Sequence, residues 1–268
     1  MNQFIQGFFV ALIMGILAYM FQLISVSGMI GGVILGTVIY GATGWQGFMV
    51  PLTFVIIGSV ATKIGYNHKA SLGIAQEEGG KRGAKHALAN ILAGMIFALL
   101  AMYFKQPDST TIELVLSFAF LVAMVSSFAT ASADTASSEM GQVFGKTPIN
   151  PLTFKRVSPG TEGAISTEGT LYGVLASIII VIVSFLTGLF NLSLNKLEAN
   201  SPLMNIYAGL AIVIGAFLGN MMESLIGAMS GKKFNNELLN FLNTLIGGLI
   251  AWVIVYTIII ARVKSSTL

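Results

Sequence analysis

The chain is 268 residues long, 55% hydrophobic and only 9% charged, with a mean hydropathy of +0.84, whereas soluble domains carry roughly 25% charged residues. Composition therefore excludes a soluble globule and predicts an all-α, polytopic transmembrane helical bundle forming a single integral membrane domain over residues 1–268. A net charge of only +3 argues against a nucleic-acid partner, and the absence of cysteine excludes disulfides and zinc–thiolate sites.

A hydrocarbon core of about 30 Å needs about 20 apolar residues per helix. That ruler marks a first segment from Phe4 to Leu23, expected to be retained because no basic leader or small-residue cleavage site accompanies it. Gly28 to Tyr40 follows, glycine-rich ("GMIGGVILGTVIYG") and short enough to predict a re-entrant or tilted segment packed closely on a neighbour. Next come Phe48 to Thr62, Ala84 to Phe104, Ile112 to Ala133, Thr170 to Phe190, Leu203 to Gly227 and Leu238 to Ala261, giving seven or eight spans.

Loop charges are lopsided. Lys63, Lys69, Lys81, Arg82, Lys85, Lys146, Lys155, Arg156, Lys232 and Lys233 fall on one side, and Lys105, Lys196, Arg262 and Lys264 on the other. The positive-inside bias places the first side in the cytoplasm. The polar connections 63–85, 134–168 and 230–237 share that side, so chemistry is expected there.

Four constellations can carry it. In "ATASADTASSEMGQ", Asp134 and Glu139 are five apart, about 140° around a helix, with Ser138 and Thr135 one turn from each and Gly141 placed to end the helix. In "GNMMESLIGAM", Asn220 and Glu223 are three apart and share a face inside an apolar run, where an acid is a functional candidate. In "NNELLNFLNT", Asn236, Asn240 and Asn243 form one helical stripe, suited to a site or equally to helix–helix hydrogen bonds. Finally, Arg82, His86 and Asn90 recur every four residues, and "KRVSPGTEGAISTEGT" places glycine turns and cations before a helix, a pattern that suits phosphate. Carboxylates for Mg²⁺, cations for phosphate and apolar helices for a lipid tail are the parts that phosphoryl transfer needs.

At these residues the sequence resembles an integral-membrane family that includes transmembrane protein 19 and the plant and cyanobacterial phytyl phosphate kinases. The likeness rests on "KASLG…EEGGKRGAKHALAN", "SADTASSEMG", "SPGTEGAISTEGT" and "ESLIGAM…NELLNFLNT", in family order from Lys69 to Thr244. The resemblance implies a kinase that converts an isoprenyl monophosphate lipid to its diphosphate with a nucleoside triphosphate, CTP by similarity to polyprenol kinases, and Mg²⁺. By motif position, Asp134 and Glu139 match its acidic pattern, Arg82 and Asn90 its basic loop and helix, and Gly160, Thr161 and Gly163 its Pro-Gly-Thr turn. Two positions depart from the pattern: Glu223 stands where an aspartate is expected, and Ala164 where the turn has a second glycine.

The expected roles are therefore Asp134, Glu139 and Glu223 as catalytic Mg²⁺ ligands, with Asn220, Asn240 and Asn243 completing the shell or orienting phosphate. Lys69, Arg82, Lys155 and Arg156 are expected on the phosphates, and a lipid between segments 112–133, 203–227 and 238–261. Two other readings are a membrane transporter, whose site would sit near the midplane, and a cytidylyltransferase forming a CDP-linked lipid, which would release pyrophosphate.

Overall fold

The apolar runs become helices, and several begin at side chains that take up the free N–H groups of a first turn. In the computed structural model, which describes residues 2–76, 78–81, 83–191, 202–230 and 235–266, α1 (Gln3–Met20) opens with Asn2 accepting from the Phe4 N–H at 3.0 Å. Ser25 caps α2 (Val26–Lys63) through the Gly28 N–H at 3.2 Å. After the short α3 (Tyr66–Ser71) and a 3₁₀ turn at Glu78–Gly80 comes α4 (Ala84–Tyr103). Thr110 and Glu113 form a reciprocal capping box at the start of α5 (Thr111–Phe144). Ser166 caps α6 (Thr167–Leu186), which stops where Gly188 takes a φ of +69°. The last two helices are α7 (Pro202–Ser230) and α8 (Asn236–Ser266).

Seven of these helices are long and apolar enough to cross a membrane, but α2 is two crossings in one. Gly44 breaks it with φ +73° and ψ −172°, a region that essentially only glycine occupies. Run straight, residues 26 and 63 would stand about 55 Å apart; instead the Lys63 ammonium donates to the carbonyl of Phe21, next to the start of α2, at 3.3 Å. Likewise the Phe48 ring lies 2.9 Å from where a β-carbon at Gly36 would stand. The chain therefore folds back, and residues 26–43 and 45–63 form two antiparallel arms of about 27 and 28 Å. The segment expected to be re-entrant or tilted is the first arm, lengthened at both ends, and the crossings number eight among the described residues.

Parity follows from the contacts. Gly15 of α1 meets Met29 and Val33, Gly31 meets Ala84, Gly65 meets Val143 of α5, and Gly163 meets Ser224 to Ala228 of α7. The connections 63–85 and 145–166 thus gather at one end of the bundle, as expected from the sequence, while the short connection 104–110 lies at the other.

The centre is α5. Of its most apolar stretch 83% is buried inside the protein, against 17% for α1, and it touches α2, α4, α6, α7 and α8. Glycine lets the surrounding helices come close. A β-carbon at Gly219 on α7 would stand 2.8 Å from both the Asn243 carbonyl on α8 and Thr130 Cγ2 on α5, and one at Gly215 would stand 2.6 Å from Ser126 Oγ. Ser126 of α5 donates to the Gly247 carbonyl of α8 at 2.9 Å, tying those two helices together. This junction has no room for the lipid expected there. Gly141 does not end α5 either: it stays helical, against Ser166 and Gly169 of α6, and the helix runs on to Phe144. At 34 residues, about 51 Å, α5 carries its acidic stretch to the polar end.

Candidate active site

At that polar end α5 turns two faces to two different sets of partners, because Asp134 and Glu139 are five residues apart. Asp134 faces α7, where its carboxyl is within hydrogen-bonding reach of the Glu223 carboxyl. Asn243 of α8 donates its amide to the same Glu223. One turn along, Asn220 on α7 donates to Ser137 on α5 at 3.1 Å, and Ser137 donates to the Asp134 carbonyl at 3.0 Å. Asn220 and Glu223 lie on one stripe of α7 and Asp134 and Ser137 on one stripe of α5, and the close glycine junction below brings the two helices together.

Two carboxylates this close repel unless they share a proton or a cation. The Asn243 side chain is 1% exposed, and its Oδ1 is buried with no hydrogen-bond partner, so an acceptor is left over beside the acids. An all-oxygen set of two carboxylates and an amide suits a hard cation such as Mg²⁺, which commonly takes one or two protein carboxylates and leaves its other positions to water and phosphate.

Glu139 belongs elsewhere. Its carboxylate pairs with Lys69 of α3, both side chains fully or almost fully buried, and accepts from Thr62 of α2 at 3.4 Å. The same ammonium donates to the Thr62 carbonyl at 2.9 Å. The expectation of three carboxylates in one cluster is corrected here: among the described residues no group of three acidic, histidine or cysteine side chains is arranged to hold a metal. Glu139 points to the α2 side of α5 and its charge is already met. Lys69, expected on a phosphate, is 0% exposed and spends its donors on Glu139 and two carbonyls.

The Pro-Gly-Thr turn is also differently employed. Thr161 donates its hydroxyl to the Ser158 carbonyl at 2.7 Å, and the N–H groups of Thr161 and Ala164 are taken within the turn. Gly160, at φ +81°, fits against Ile74, and Gly163, at φ +67°, lies against the backbone of Ser224 and Ala228. Here the glycines dock a loop onto α7. That docking brings in Glu162, whose Cγ lies 3.6 Å from where a β-carbon at Gly227 would stand, one turn past Glu223. Its charge is felt at Glu223. Sequence reading passed over Glu162 and Ser137; the glycines flanking the first and the position of the second three residues after Asp134 were the available signals.

Of the other expected residues, Asn90 is 1% exposed and donates to the His86 carbonyl at 2.9 Å, with its Oδ1 buried and unpartnered. Asn240 is half-buried, one turn from Asn243. Lys155 and Arg156 are exposed on the 145–166 loop. Arg82 lies outside the described residues.

The chain as a whole is similar to known membrane proteins. A family model described as "Integral membrane protein DUF92" matches residues 9–248. An uncharacterized membrane protein of Synechocystis sp. is 32% identical over 222 residues, 81% of this chain and 77% of the relative. Protein VTE6, chloroplastic, of Arabidopsis thaliana is 34% identical over 233 residues, 85% of this chain and 64% of the relative. An uncharacterized membrane protein of Methanocaldococcus jannaschii is 32% identical over 238 residues, 86% and 85% of the two chains. No solved structure matches.

Proposed function

The chain belongs to the DUF92 family of integral membrane proteins, and from that premise we propose that it is a membrane-embedded kinase that phosphorylates an isoprenyl monophosphate to the diphosphate, using CTP and Mg²⁺. The observation that carries the reading is the meeting of Asp134 and Glu223, from separate helices, with the spare acceptor of Asn243 at the polar end of the bundle. In this reading Asp134, Glu223 and Asn243 hold Mg²⁺, which when bound supplies positive charge to offset that on the phosphates. Asn220 fixes the Asp134 face of α5 through Ser137. Lys155 and Arg156, exposed on the loop whose Gly163 docks against α7, bind phosphate oxygens in this reading, and the same role is proposed for Arg82 from its sequence motif. The lysine bias of the polar end supports its facing the cytoplasm, where nucleotide is available.

The chemistry asks little more of the side chains. The attacking oxygen belongs to a phosphate monoester, whose second ionisation lies near pH 6, so it is anionic at neutral pH without a general base. The phosphoryl group passes from nucleotide to lipid phosphate, and nucleoside diphosphate leaves.

Purified protein given isoprenyl monophosphate, Mg²⁺ and each nucleoside triphosphate in turn should form the diphosphate and release nucleoside diphosphate. Release of pyrophosphate with a CDP-linked lipid would mean cytidylyl transfer instead. No product with any donor, from protein that unfolds cooperatively on heating, rejects the enzymatic reading.

A further inference from the structure

Away from the carboxylates, a cavity opens between α1, the two arms of α2 and the first turns of α4. Its lining is apolar throughout apart from His86, at the polar end. Along the first arm it runs from Gly28 to Ile39, about 16 Å at the helical rise per residue, close to the depth of one leaflet of a core about 30 Å thick. Ile24, Gly28 and His86 line its polar end, the end of the bundle at which Asp134 and Glu223 also lie, although on the other flank of α5; Phe48, past the Gly44 turn, lies toward its far end.

Three glycines on this lining are not equivalent. A β-carbon at Gly36 would stand 2.9 Å from the Phe48 ring, and one at Gly15 would stand 3.1 Å from Val33, so close packing explains both. A β-carbon at Gly32 would meet nothing within 4 Å. Glycine inside a helix costs about 1 kcal/mol relative to alanine, and unfilled apolar space forfeits dispersion contacts as well. Packing gives no return for either loss at Gly32, which leaves that space open to an occupant.

We infer that this cavity holds the tail of the phosphorylated lipid substrate, a single isoprenyl chain entering past His86, and that Gly32, one turn in from Gly28, leaves the width that lets a long chain reach the far end. The inference rests on the kinase reading for the identity of the lipid. Being walled by helices on three sides, the cavity takes one chain rather than the pair of a bulk phospholipid.

The test uses full-length protein in phospholipid nanodiscs and a geranylgeranyl monophosphate carrying a diazirine at its far end. Labelling should map to the 28–39 and 48–55 stretches and be displaced by unlabelled geranylgeranyl monophosphate but not by added phospholipid. Gly32→Phe should lower the ratio of geranylgeranyl to dimethylallyl monophosphate turnover by at least about 10-fold, the scale of discrimination an apolar pocket provides. Should that variant fail to fold, Leu52→Trp narrows the same space from the second arm and carries the same expectation. Label on α5, α7 or α8, displacement by any phospholipid, or an unchanged ratio in a folded variant overturns the inference. Labelling in the cavity with no diphosphate formed from any nucleotide would keep the tail site and reject the kinase; diphosphate formed with label elsewhere would do the reverse.

Discussion

The two flanks of α5 use glycine in opposite ways. On the α7–α8 side, Gly215, Gly219 and Gly247 let three backbones touch, and a β-carbon at any of them would collide with a neighbour. On the α1–α2 side, Gly32 faces open space. Glycine spacing alone cannot separate a seam from a cavity; only the partner, or its absence, does. The close seam gives the polar end its fixed geometry, because it sets how near Asp134 comes to Glu223, whereas the loose flank keeps room for something that comes and goes.

The largest effect is expected on the α2 side of α5, at the buried pair of Lys69 with Glu139 beside Thr62 of α2. Removing one member leaves a buried charge alone, so Lys69→Met should cost about 3–5 kcal/mol, read as a large drop in thermal unfolding midpoint. Adding Glu139→Leu should restore most of it; a single variant as stable as the parent would show that the pair does not hold α2 and α3 to α5. Next, on the seam side, Asp134→Asn or Glu223→Gln should lower turnover on the order of 10²- to 10³-fold, as when one preorganised electrostatic contact is lost, with no fall in unfolding midpoint. Turnover within a few-fold of the parent would detach the seam from the chemistry. Gly219→Val should destabilise by about 1–3 kcal/mol through overpacking. Gly32→Ala should be neutral or gain up to about 1 kcal/mol, and equal losses at the two glycines would erase the contrast between the flanks.

Much of the architecture is legible in the sequence because the bilayer imposes a length on each apolar run. The eight runs, the single polar end and the separation of Asp134 from Glu139 around α5 follow from helical periodicity. Asn243 was marked by its stripe with Asn240, although Asn236 on the same stripe is exposed. What the sequence hides is pairing at a distance. Nothing local to Lys69 says that its charge is met 70 residues later by Glu139, and three acids on one side of a membrane read as one cluster until the helix faces are placed. The glycines of "GATGWQG" (Gly41, Gly44 and Gly47) likewise look alike; only one of them, Gly44, adopts a backbone unavailable to other residues.

That reversal at residue 44 also has a topological consequence. Each crossing inverts the direction of the next, so an even tally leaves the start of α1 and the end of α8 on the same face, away from the polar loops. Were the chain to continue straight there, every later helix would enter the membrane upside down, and the two carboxylates would be delivered to the opposite face.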